Sequence, residues 1–422
     1  MGKVAVIGGG LAGVTTAREL GRRGHQVTLY EAQSGPALAT SFANGGLLTP
    51  SMADPWNGPG VHRHLAASLF RSDSAMKLRL RAVPSLLGWG WRFLRHSTTA
   101  QHRAATRASF SLGRYSVEET QHLREELSLD YSAARCGSIK VFSSRSALEQ
   151  SLAVAQGLAS LGLKFEVLSG ADAVGLEPAL ADVRDRILGA LLFPDDECGD
   201  ARQFCDALLQ VFRREGGLVR ASTQVDGIQV KTGRVCGIQV GAHPEPADTV
   251  VVAAGNAAAP LVRPLGLSLP IRPAKGYTVT YDASHIRESA PHYALIEDAL
   301  HAAIVPIGHS LRLAGTAEFA GNDLRIDPAR VENLIRMLEA LLPRLAAQLP
   351  RASARPWTGL RPMSADGLPF VGPAKVPGLF VNAGHGHLGW TLAAGSARLL
   401  ADLIEGKTPA IDPSPYRVHR PA

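Results

Sequence analysis

Val4-Ala5-Val6-Ile7-Gly8-Gly9-Gly10-Leu11-Ala12-Gly13 opens the chain; residues 14–22 follow with helical spacing, then Gln26-Val27-Thr28-Leu29-Tyr30-Glu31. The apolar run reads as a short buried strand, the glycine cluster as a tight turn, and residues 14–22 as a helix. Gly8 permits the turn, Gly10 lets backbone amides approach a pyrophosphate at the helix N-terminus, and Gly13 lets the helix pack on its strand. The second strand ends at Glu31, whose carboxylate can accept hydrogen bonds from adenosine ribose hydroxyls and would repel a 2′-phosphate. Strand, turn, helix, strand and acid in that order point to dinucleotide binding. The unit serves NAD and FAD alike, so the choice between them has to come from elsewhere.

Of the 422 residues, 45% are hydrophobic and 19% charged, which provides for a core and excludes a disordered chain. No run of about 18 uninterrupted apolar residues occurs. The nearest, residues 249–262, is broken by Gly255, Asn256 and Pro260. The first apolar segment runs straight into the glycine cluster, so it does not read as a secretory signal, and a cytoplasmic location is expected. The 44 basic and 37 acidic residues give a net charge of +7 without a basic tract, which argues against nucleic acid and suits acidic small molecules or anionic lipid. Cys136, Cys198, Cys205 and Cys236 form no CxxC and no zinc spacing with histidine, and read as reduced, structural thiols. His301, His309, His385 and His387 lack an accompanying acid pattern, so no metal site is expected.

Residues 202–214 read as a helix, 218–222 as a strand, and 225–230 with 234–240 as a hairpin around Lys231, Thr232 and Gly233. Residues 249–253 form an apolar strand ending in Ala254 and Gly255, suited to a parallel sheet whose backbone comes close to the cofactor. Residues 273–281 alternate Lys275, Tyr277, Val279 and Tyr281 on one face; 301–306 and 311–319 add two strands, and 328–342 a helix. This antiparallel block reads as a second domain with interleaved boundaries. Residues 379–383 then repeat the opening pattern: a strand, the turn Gly384-His385-Gly386-His387-Leu388-Gly389-Trp390, and a helix over 391–403. A second helix N-terminus would point into the site, its positive end favouring charge on the N1/C2 carbonyl edge of a reduced flavin.

The chain resembles the bacterial FAD-dependent D-amino-acid dehydrogenases, within the glycine oxidase and D-amino-acid oxidase superfamily. The matching segments are residues 4–13, 40–45 (TSFANG), Asp54-Pro55-Trp56 with Pro59-Gly60, 193–197 (FPDDE) with Gly199-Asp200, Lys275-Gly276-Tyr277, 315–318 (GTAE), 357–363 (WTGLRPM) and 384–390. The resemblance implies noncovalent FAD on an α/β, Rossmann-like domain over 1–85, 196–268 and 357–422, and an interleaved α+β substrate domain with a mainly antiparallel sheet over 86–195 and 269–356. The implied cofactor contacts are Gly8, Gly10, Leu11, Ala12, Gly13, Glu31, Thr40, Ser41, Asn44, Gly45, Gly46, Val225, Ala253, Gly255, Gly386, His387, Leu388, Gly389, Trp390 and Thr391. Arg361 maps onto the superfamily arginine that holds the substrate carboxylate, a role its two-pronged guanidinium suits. Tyr277 either places its hydroxyl over the substrate or is a buried aromatic.

The implied reaction is hydride transfer from Cα of a D-amino acid to flavin N5, then hydrolysis to a 2-oxo acid and ammonia, with electrons passed to a quinone or another non-oxygen acceptor. A secondary amine such as D-proline, D-hydroxyproline or an N-methyl amino acid is the alternative substrate; a flavin-binding subunit without its own chemistry is the alternative of another class. The chain departs from the family pattern at 297–301 (EDALH), at His387 and at Gly46-Leu47-Leu48, so the substrate pocket is expected to differ. Residues 84–95 (PSLLGWGWRFLR), with Arg79 and Arg81 nearby, read either as a peripheral contact with the anionic inner face of the cell membrane or as a helix packed on the protein's own core through Trp89 and Phe93.

Overall fold

The computed structural model describes residues 2–62, 76–286, 289–299 and 302–420. Val4 to Ile7 are all buried, as a strand with parallel neighbours on both sides requires. This strand, β1 (Lys3–Ile7), leads through the glycine turn into α1 (Leu11–Arg22) and returns as β2 (Gln26–Tyr30). β1 pairs in parallel with β2 and with Thr249–Val252. Leu218–Arg220 and Leu379–Ala383 extend the parallel sheet on either side, and Phe370–Pro373 adds an antiparallel edge, making six strands. One face is covered by α1, Ala201–Arg214 and Ala393–Ile404. Against the other packs the hairpin sheet Gly227–Lys231, Arg234–Val240 and His243–Pro246.

The second sheet runs in the order Arg355–Ser364, Ile271–Asp282, Ser310–Phe319, Ala302–Ile307, Ala294–Glu297, Ser138–Phe142, Gly189–Phe193 and Glu166–Leu168, with Met76–Leu78 also paired to Ser310–Phe319. Only the Ala294–Glu297/Ser138–Phe142 and Met76–Leu78 pairings are parallel, so the sheet is mainly antiparallel as expected. Its outer face buries Tyr277, Val279 and Tyr281 with Leu334 and Leu338 of the helix Pro328–Leu341. Strand alternation then turns Gly276 and Thr278 toward the nucleotide unit, where Thr278 Oγ1 donates to the Ala43 carbonyl at 2.9 Å.

Sheet membership departs from the expected boundaries. Residues from 357 onward were assigned to the nucleotide domain, but Arg355–Ser364 pairs along its whole length with Ile271–Asp282, and the chain rejoins the first sheet only at Phe370. Met76–Leu78 likewise belongs to the second sheet. In the other direction, the 29-residue helix Thr99–Leu127 packs on Ala393–Ile404 of the nucleotide unit: Ser116 Oγ accepts the Gly395 amide at 2.9 Å, and a β-carbon on Gly395 would meet Ser116 Cβ at 2.7 Å.

The helix Val83–Arg95 has one packed face and one exposed face. Trp89 and Phe93 are buried, stacked at 4.9 Å, with Trp89 Nε1 donating to the Met363 carbonyl at 3.1 Å. Leu87, Trp91 and Leu94 are exposed beside Leu80, and the Arg95 guanidinium lies 4.7 Å over the Trp91 ring.

Two glycines test the packing in opposite directions. A β-carbon on Gly13 would lie 1.7 Å from the Gly8 carbonyl oxygen, whereas Gly157, exposed in the helix Arg145–Ala159, has nothing within 4 Å. Gly13→Ala is expected to destabilise the fold by about 1–3 kcal/mol or more, and Gly157→Ala to stabilise it by up to about 1 kcal/mol. Denaturant unfolding of both variants checks this; equal shifts would contradict the packing described.

Candidate active site

Gly8 turns the chain with φ +108°, a conformation only glycine adopts freely, and a β-carbon there would strike the Ala253 carbonyl oxygen at 2.6 Å. α1 then begins after Gly10, which offers no capping side chain, and its first turn holds no acid. Ser41 Oγ accepts the Leu11 amide at 3.2 Å. Glu31 Oε2 accepts the Gly9 amide at 2.6 Å and Oε1 the Gln33 amide at 2.7 Å. Glycines, uncapped helix amides and a carboxylate at the end of β2 are the donor and acceptor set that fits a dinucleotide.

A cavity of about 2280 Å³ begins at this turn and continues under the second sheet. Every expected cofactor contact lines it except Gly13, whose place is the close contact of α1 with Gly8. The second return differs from its reading. Its helix starts at Ala393, and its first amides are already taken: Leu392 by the Leu388 carbonyl, Ala393 by the Trp390 carbonyl and Gly395 by Ser116 Oγ. The turn before it borders the cavity instead. Trp390 packs its indole against Tyr131 and Phe204, and Thr391 Oγ1 accepts the Thr49 amide at 3.1 Å. His385 is buried with Nε2 3.1 Å from Ser396 Oγ, and burial pushes its imidazole down to about 4.

At the far side, Arg361 lies across Gly276, where a β-carbon would sit 2.5 Å from its Cζ. Its Nη1 donates to the Thr316 carbonyl at 2.8 Å, and the Trp56 ring is 5.5 Å away. Trp56 stacks in turn on His387 at 5.2 Å. No carboxylate among the described residues pairs with Arg361, and burial pushes its guanidinium down to about 10. An unpaired cation in a closed site favours an anion from outside.

Thr316 sits at φ +58°, at a bulge where the four residues from Gly315 to Glu318 oppose the three from Lys275 to Tyr277. Tyr277 requires a correction. Its side chain is fully buried on the outer face of the sheet, and its hydroxyl donates to Glu318 Oε2 at 2.7 Å. Lys275 Nζ lies 3.2 Å from the same oxygen, and Arg79 bonds the other. The hydroxyl is thus engaged away from the Gly276 face; the alternation that made the residue conspicuous is what turns it there. His301 lies outside the described residues. Sequence reading assigned no role to Trp56 or Thr316, although both stood inside the family segments; only the fold brings them to Arg361.

A dinucleotide cradle and a guanidinium with no protein carboxylate among the described residues share one cavity, an arrangement suited to an oxidoreductase. Residues 3–403 match the family described as DAO, FAD dependent oxidoreductase; the chain belongs to that family, and its cofactor is FAD. A D-amino acid dehydrogenase of Rhizobium johnstonii is 38% identical over 415 residues, 97% of each chain. A D-amino acid dehydrogenase 2 of Ralstonia nicotianae is 38% identical over 427 residues, 99% of this chain and 100% of the relative. Glycine oxidase from Geobacillus kaustophilus shares the fold with a TM-score of 0.76 at 24% identity, covering 100% of both chains.

His385 ties this site to pH. Its folded value lies below the ordinary histidine value near 6.5, so its contribution to stability is complete above about pH 6.5 and is lost as pH falls toward 4, where the unfolded chain binds the extra proton. The thermal midpoint of the parent is expected to fall across this window more steeply than that of His385→Asn. Equal slopes would place the acid sensitivity elsewhere.

Proposed function

We propose that this FAD enzyme is a D-amino-acid dehydrogenase, converting the substrate to an imino acid that water hydrolyses to a 2-oxo acid and ammonia. The observation that carries this reading is Arg361, a half-buried guanidinium with no protein carboxylate among the described residues; the names of the full-length relatives supply the substrate class. In this reading the Gly10 and Ala12 amides, the ones in the turn not engaged by Tyr30, Glu31 or Ser41, hold the FAD pyrophosphate, and Glu31 takes the ribose hydroxyls. Bound FAD supplies the two-electron acceptor for the Cα hydrogen.

Arg361 orients the substrate. With Nη1 held on Thr316, the Nε–Nη2 edge has no partner among the described residues and presents a side-on fork to a carboxylate. Gly276 on one side and Trp56 on the other keep water from this ion pair and so strengthen it. The hydrogen leaves with its electrons, pushed by the lone pair of a neutral amine, so no side chain has to remove it as a proton. The protein's share is orientation and electrostatics. Arg361→Lys should retain FAD yet lose about 2–5 kcal/mol in transition-state binding, because an ammonium cannot reproduce the fork. Anaerobic bleaching of the flavin by an amino-acid panel measures it. Unchanged turnover would make Arg361 structural, and no bleaching by any amino acid would leave the chain a flavin-binding subunit.

For the acceptor, we favour a quinone reached at an anionic membrane through the exposed face of Val83–Arg95, where apolar residues stand beside Arg92 and Arg95. No helix among the described residues is long and apolar enough to cross a membrane, so the contact would be peripheral. Because Trp89 belongs to the core, the informative variant is Leu87→Ser with Trp91→Ser. Salt-sensitive sedimentation with anionic liposomes is expected for the parent and should be lost in this variant with its flavin intact. If the parent does not sediment, the acceptor is a soluble one.

A further inference from the structure

The cavity extends past Arg361 along the inner face of the second sheet, over a floor of small residues. Thr278, Ala314, Ala303, Ile296 and Lys140 are register partners across five neighbouring strands. Thr278 bonds the Ala43 carbonyl and a β-carbon on Gly45 would touch Ala314, so this row faces the segments around the cofactor. It ends in an ion pair: Lys140 Nζ lies 2.7 Å from Asp298 Oδ1 and donates to Ser151 Oγ at 3.3 Å. Both partners are largely buried and both line the cavity. Asp298 Oδ2 has no partner among the described residues. Thr316, which holds Arg361, and Asp298 each stand one residue beyond the Gly315–Ala302–Glu297 row; that separation is two strand spacings, about 10 Å. An α-carboxylate on Arg361 and a long side chain together span such a distance.

We infer that Asp298, steadied by Lys140, is the specificity-determining end of the side-chain pocket and selects amino acids with a long basic side chain. The inference rests on the D-amino-acid reading above. Charge decides the sign. Among the described residues, Lys140 is the only lysine or arginine besides Arg361 that lines the cavity, and it is already neutralised. An anionic tail would meet a satisfied ammonium with Asp298 beside it, whereas a cationic tail meets the unoccupied oxygen of Asp298.

The test is steady-state dye reduction by the FAD-loaded enzyme with D-lysine, D-arginine, D-norleucine and D-glutamate. D-norleucine matches D-lysine in length without the charge, so the ratio of their kcat/KM values is the readout. In the parent D-lysine should exceed D-norleucine and D-glutamate should be poorest. Asp298→Asn, nearly isosteric, should lower the D-lysine to D-norleucine ratio about tenfold, equivalent to about 1.4 kcal/mol of differential binding. Lys140→Met should raise it. A ratio unchanged in both variants, with normal flavin content, overturns the inference while leaving the D-amino-acid reading in place. Failure of every D-amino acid to reduce the flavin would falsify that reading and this inference with it.

Discussion

A half-buried guanidinium without a counterion is unfavourable, and much of the second sheet is arranged to keep Arg361 in that condition yet ordered. A candidate partner, two strands away from that of Arg361, is Glu318, two residues from the Thr316 carbonyl that holds Arg361. In a regular strand these two would share a face. The bulge after Gly315 inserts one residue and sends Glu318 to the outer face, where Tyr277, Lys275 and Arg79 claim it. The positive φ of Thr316 is the local strain through which the extra residue is accommodated. Gly276 completes the arrangement, since any side chain there would displace the guanidinium. The anion-binding capacity of the site therefore follows from one extra residue in one strand.

The nucleotide end shows how two segments alike in sequence take different parts. Both are strand, glycine turn and helix. In the first, Gly10 leaves the amides of α1 without a capping side chain, facing the cavity. In the second, Leu388, Trp390 and Ser116 satisfy the amides at the start of Ala393–Ile404, and the helix serves to pack α1 and Thr99–Leu127. A glycine turn before a helix is thus an anion site only where neighbouring groups leave its amides free.

Legibility in the sequence followed the strength of the periodic signal. The parallel core strands, the hairpin at 227–240 and the antiparallel strands from 271 to 319 were readable because apolar runs or alternation mark them. The helix Thr99–Leu127 was not, because its buried positions include Ala105, Thr106, Ser109, Gly113, Ser116 and Thr120, small or polar residues that close packing on Ala393–Ile404 demands and hydropathy does not register. Residue type alone also misassigned Tyr277: an aromatic beside a family lysine and glycine looks functional, while its phase in the strand puts it in the core. The same holds within Val83–Arg95, where Trp89 and Trp91, two residues apart on a helix, belong to opposite environments. The place of Arg361 in the cavity was legible through its motif, but the bulge that isolates it was not, since a register shift leaves no mark in one strand read by itself.

The two cations lining the cavity are distinguished by what surrounds them and not by their own chemistry. Lys140 has a carboxylate and a hydroxyl within reach; Arg361 has one carbonyl and an aromatic face. A zwitterion entering this space gains most by giving its carboxylate to Arg361, because at Lys140 it would have to displace Asp298 first. Its orientation is set by electrostatics before shape is consulted. A bulged strand at one end and, at the other, an ion pair between Ser138–Phe142 and the end of its parallel neighbour Ala294–Glu297 make that polarity a property of the sheet itself. Loops around the cavity can then vary without reversing the direction in which a substrate binds.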